Sequence, residues 1–109
     1  MHKILIKSRL EREKILRIIV LSIDINEIDR SNQCVLVHFG SSWMSVTIHV
    51  YETSMLRTIR ITKEVNVLDG TVLSYELMSI NFHKKNYKEY NSCIKKLEEI
   101  KELLTKNNK

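Results

Sequence analysis

The sequence predicts an α+β domain of two layers, a four-stranded antiparallel meander in order 1-2-3-4 with N- and C-terminal helices on one face. Three observations carry that prediction. Ser8-Arg9-Leu10-Glu11 has the pattern of a helix-opening capping box. Between Cys34 and Phe82 apolar and polar residues alternate, broken by three turn-like pairs. After residue 86 the apolar residues return to helical spacing. At 109 residues the chain reads as a single domain, residues 1–109, large enough for one core without metal or disulfide.

In chain order, residues 2–7 read as a short N-terminal edge strand. The first helix begins after Ser8, whose hydroxyl and the Glu11 carboxylate can each satisfy a free backbone N–H. Glu13 and Arg17, four apart, support it. The helix is expected over about residues 9–22, because Ile19, Leu21, Ile23 and Ile25 alternate with polar residues as in a strand. A polar connection over residues 26–33 follows.

Each of the three hairpin turns fixes a register. Ser41-Ser42 pairs Phe39 with Met44, Val37 with Val46 and Val35 with Ile48. Thr53-Ser54 pairs Val46 with Ile61 and Ile48 with Ile59. Asp69-Gly70, an expected type I′ turn with positive φ at both positions, pairs Val67 with Val72, Lys63 with Glu76 and Ile61 with Met78. All three place the aliphatic residues on one face, and a one-residue slip would turn a whole strand over. The predicted buried face is Val35, Val37, Phe39, Met44, Val46, Ile48, Val50, Ile59, Ile61, Val65, Val67, Val72, Met78, Ile80 and Phe82. In the last helix Cys93, Leu97, Ile100 and Leu104 form the stripe that covers it, widened by Tyr90 and Ile94.

That register leaves the opposite face open, with Trp43, Tyr75, Arg60, Leu36, Leu73, Leu77, His38 and His49 as candidate partner-binding residues. Trp43 and Tyr75 could stack, and Arg60 could pair with an anion. Against this, hydroxyl-bearing residues are ordinary on any exposed strand face.

The formal charge is +5, with net values of +2 over residues 1–30, −1 over 31–80 and +4 over 81–109. A basic terminus invites nucleic acid as a second expectation. Lys84, Lys85, Lys88, Lys95 and Lys96 would hold phosphates, with Arg9, Arg12 and Arg17. Glu98, Glu99 and Glu102 interleave with those lysines. The chain has no Ala or Pro but 14 Ile, 12 Lys and 8 Asn, the usage of a low-GC genome such as that of a bacterium, phage or other virus.

Enzymatic chemistry is not expected. Cys34 opposes His49 but lacks an orienting third group and an oxyanion hole. No paired carboxylates arise, and Gly40 and Gly70 are turn residues. No metal site is expected, because two candidate ligands fall short of four, and no cofactor is implied. Two cysteines in a chain without a signal peptide read as reduced thiols, and residues 15–23 are too short to span a bilayer. The expectation is a cytoplasmic, soluble, non-enzymatic regulator that docks on a protein partner or forms a homodimer, without membrane contact.

Overall fold

A computed structural model describes residues 8–58, 63–67, 69–83 and 87–107. Among them run α1 (Arg9–Ile28), β1 (Gln33–Phe39), β2 (Trp43–Tyr51), a 3-10 helix (Met55–Thr58), β3 (Lys63–Val67), β4 (Val72–Asn81) and α2 (Tyr87–Asn107). The strand expected over residues 2–7, the pairings of Ile59 and Ile61, and the side chains of Val65 and Val67 lie outside what is described.

The sheet order is β1-β2-β4-β3, which overturns the meander. Three long strands, β1, β2 and β4, form its continuous part, and the five-residue β3 lies on the far side of β4. β2 pairs with β4, Val46 opposite Met78 and Ile48 opposite Tyr75, where the sequence suggested Ile61 and Ile59. The cause lies in residues 52–58. Ser54 accepts from the backbone N–H of Leu56 (3.1 Å) and opens the 3-10 helix rather than closing a hairpin. Leu56 is fully buried in the core, an apolar contribution of roughly 1.5–3 kcal/mol that a two-residue turn would forgo.

The Ser41-Ser42 hairpin has the expected register, with Phe39 opposite Met44 and Val35 opposite Ile48. The Asp69-Gly70 reversal is wider than expected. Gly70 takes φ +87° but Asp69 stays negative, so the turn is not type I′. Val67 faces Leu73 rather than Val72, although Lys63 still faces Glu76. The Asp69 carboxylate accepts from the Thr71 hydroxyl (2.7 Å) and from the N–H groups of Thr71 (2.9 Å) and Val72 (3.0 Å). Those bonds, the hydroxyl first, hold its pKa below the ordinary carboxylate value.

α1 runs to Ile28, past the expected end near residue 22. The Ser8 half of the expected capping box is present: Ser8 Oγ accepts from the Glu11 N–H at 3.2 Å, and its hydroxyl donates to the Glu11 carboxylate at 3.4 Å. At the other end Gln33 Nε2 donates to the Asp29 carbonyl (2.6 Å) and the Ile25 carbonyl (3.4 Å), satisfying free acceptors of the last turn. Ser8 meets Tyr87, Lys14 meets Asn91, Arg17 meets Glu98 and Lys101 meets Asp24. Partner numbers rise together, so α1 and α2 are parallel neighbours. Ile18, Leu21 and Ile25 of α1 pack with Tyr90, Cys93, Leu97, Ile100 and Leu104 of α2 against Val35, Met44, Val46, Ile48 and Val50. Both helices therefore cover the same side of the sheet.

Candidate interaction surface

The uncovered side of the sheet is narrower and more polar than the sequence suggested. β2 alternates strictly, so Trp43, Ser45, Thr47, His49 and Tyr51 point away from the helices. β1 adds Cys34, Leu36 and His38, opposite His49, Thr47 and Ser45. β4 adds Asn81, Ser79 and Glu76, opposite Trp43, Ser45 and Thr47. Among the described residues the result is a strip of hydroxyls, imidazoles and one carboxylate, joined by Cys34 and Leu36, with an aromatic ring at each end. Toward the Tyr51 end Ser74 and Val72, opposite His49 and Tyr51, are buried.

Three of the expected contact residues are absent from that strip. Between Val46 and Thr47 the β2–β4 register jumps from Met78 to Glu76, so Leu77 is an inserted bulge residue. Beyond the bulge the faces of β4 exchange. Tyr75 (8% exposed) and Leu77 (7%) belong to the core, and Leu73 is packed against it. The expectation that Tyr75, Leu73 and Leu77 share an open face with Trp43 is therefore wrong. Leu36, His38 and His49 do share it, and Arg60 lies outside the described residues. One expected core residue moves the other way: Phe39, near the end of its strand, is 52% exposed.

Trp43 is 45% exposed and has a local role as well. Its indole lies so close to Gly40 that a Cβ there would collide with the ring. The adjacent hairpin is closed by the Gly40 N–H donating to the Trp43 carbonyl at 2.9 Å. Glycine at position 40 thus serves the close approach, and Trp43 stays partly exposed beside it.

The outer edge of β1 is partly blocked. Asn26 Nδ2 donates to the Val35 carbonyl (2.9 Å), while Asn26 Oδ1 accepts from the Val35 N–H (2.6 Å). One side-chain amide thus satisfies both backbone groups of Val35, as a neighbouring strand would. An edge so paired is a poorer template for another strand.

The basic residues are divided among several environments. Arg17 pairs with Glu98 (3.1 Å), Arg9 with Glu13 (3.2 Å) and Lys101 with Asp24 (2.9 Å). These pairs, Arg9–Glu13 exposed and the other two half-exposed, contribute little, as solvent-screened pairs do. Arg12, Lys88 and Lys95 are exposed, Lys96 is half-buried, and Lys84 and Lys85 lie outside the described residues. Because α1 and α2 are parallel, their N-termini share one end of the domain. The positive ends of two helix dipoles therefore lie together there with Arg9, Arg12 and Lys88.

Cys34 faces His49 across β1 and β2, the pairing that the first hairpin's register required. Cys34 and Cys93 are both free thiols, and burial pushes Cys93 up to about 12, so it stays protonated and inert. Among the described residues, no group of three His, Cys, Asp or Glu side chains could hold a metal ion. Nor is any helix there long and apolar enough to cross a membrane. No family model matches the chain, and comparison with curated proteins and with solved structures gives no significant match.

Proposed function

We propose that the protein is a small non-enzymatic interaction module that docks a protein partner on the open face of its sheet. The observation that carries this reading is the strip Trp43, Ser45, Thr47, His49 and Tyr51, left uncovered while both helices occupy the other side. An exposed aromatic anchor beside hydrogen-bonding side chains is the usual composition of a contact centre. Thr47, between Leu36 and Glu76, marks the middle of the strip, and Thr47→Lys would place a long side chain there that obstructs a docked partner, its charge within reach of the Glu76 carboxylate. The immobilised chain should retain a protein from host extract, and both Thr47→Lys and Trp43→Ala should abolish that retention. Their unfolding midpoints should remain near that of the parent. Retention unchanged by either substitution would refute the reading.

A second reading, nucleic-acid binding, draws on the shared end of the parallel helices. Two helix N-termini with Arg9, Arg12 and Lys88 would offer N–H donors and positive charge to a phosphate, against the carboxylates of Glu11, Glu13 and Glu89 at the same end. The test is a salt titration with single- and double-stranded probes. Arg12→Glu and Lys88→Glu should each lower the slope of log affinity against log salt by about one. No binding at low salt removes this reading.

A further inference from the structure

The outward side of α1 carries a second apolar stripe, on the opposite side of the helix from its core stripe. Leu16 is 59% exposed, Val20 40% and Ile23 52%, whereas Ile18, Leu21 and Ile25 on the inner side are fully buried. Single exposed apolar residues need no explanation, but a contiguous stripe on a helix marks a contact surface. Half-buried Ile19 borders it.

The geometry points to a second copy of this chain as the occupant, with the two α1 helices packed antiparallel about a two-fold axis between Ile19 and Val20. The argument is the order of residues along the stripe. Arg12, Leu16 and Val20 form one ridge at four-residue spacing, and Ile19, Ile23 and Glu27 form the next. Reversed in a second copy, the second ridge lies against the first. Leu16 then meets Ile23, Val20 meets Ile19, and Arg12 meets Glu27, each contact occurring twice. Such self-complementarity is what an isologous dimer requires. Arg12 and Glu27 are both exposed and form no ion pair among the described residues, so their charges are available for that match. A parallel pairing would set Arg12 against Arg12 and Glu27 against Glu27.

This surface is separate from the sheet face proposed above, so the two can fail independently. One helix face buries less than the roughly 1,000 Å² of a stable interface, and the dimer is accordingly weak. Sedimentation velocity over a concentration series up to about 1 mM should show a reversible monomer–dimer equilibrium. Leu16→Lys should raise its dissociation constant at least about tenfold, the equivalent of roughly 1.4 kcal/mol, without lowering the thermal midpoint. Arg12→Glu and Glu27→Arg should each weaken association, and the two together should restore it. A monomer throughout the series overturns the proposal. So does a dimer indifferent to Leu16→Lys, or a charge swap that fails to restore association. Binding to lipid vesicles or to another protein through Leu16, by a chain that stays monomeric, would overturn it too.

Discussion

β2 and β4 lie side by side in the sheet, and only β2 keeps an unbroken alternation. Each of its buried residues, Met44, Val46, Ile48 and Val50, is followed by one facing the open side. β4 changes step at Leu77, so Tyr75 and Met78 are both buried although three residues apart. β2 is paired along both edges from Met44 to Val50, whereas among the described residues β3 flanks β4 only from Leu73 to Glu76, and the inserted Leu77 lies just beyond that pairing. The difference teaches that a face assignment propagates along a strand only until an insertion, and that it runs furthest where both edges of the strand are paired without a gap.

The contrast can be broken most violently by deletion. Removing Thr47 from β2 turns Ile48 and Val50 to the open side, and the chain should fail to fold, with no cooperative transition by circular dichroism. Removing Leu77 from β4 leaves Met78 opposite Val46 and Glu76 opposite Thr47, a regular ladder. That variant should fold, at a cost of about 2–5 kcal/mol for the lost buried leucine. Equal damage from the two deletions would contradict the bulge.

The next contrast sets Tyr75 against Trp43. Tyr75→Ala empties part of the core and should destabilise by about 3–5 kcal/mol in chemical denaturation. Trp43→Ala removes a half-exposed ring and should cost about 1 kcal/mol or less. Reversed magnitudes would restore the face assignment that the alternation alone suggested.

How far the sequence could be read follows from the same contrast. The first hairpin, the Ser8 N-cap of α1 and the α2 stripe were legible, because each depends on residues close together in the chain. The strand order was not. Its cause is that Ser54 opens a 3-10 helix and Leu56 enters the core, and a Thr-Ser pair followed by Met-Leu resembles a hairpin turn as closely as a helix cap. The bulge was invisible too, since Leu73, Tyr75 and Leu77 alternate without interruption up to the inserted residue. The extent of α1 was misjudged for a different reason. Leu21 and Ile25 belong to its inner stripe and Ile23 to its outer one, and the two stripes overlaid imitate a period of two. Of the candidate site, Trp43, Leu36, His38 and His49 were placed by β1–β2 alone, whereas the residues contributed by β4 were not.

The smallest expected effect comes from Tyr90, at the end of the domain where the helix N-termini meet. The ring is fully buried, its hydroxyl has no partner among the described residues, and burial, followed by the nearby Glu11 charge, pushes its pKa up to about 12. Tyr90→Phe removes an unpaired hydroxyl and should stabilise by about 1 kcal/mol at neutral pH. A folded-state pKa above the ordinary value near 10 means full stability below pH 10, lost as pH rises toward 12 while the unfolded chain releases its proton first. The variant should therefore show a shallower alkaline decline, with a residual fall above about pH 9 from Cys93. A loss of stability at neutral pH would mean that the hydroxyl is bonded.

Cross-strand proton contacts measured by NMR decide the arrangement of the sheet. Backbone contacts of Val46 with Met78 and of Ile48 with Tyr75, accompanied by a step between Val46 and Thr47, are the result expected here. Contacts from those same β2 positions to residues 59 and 61 would restore the meander, return Tyr75 to the outside, and contradict the account of the open face.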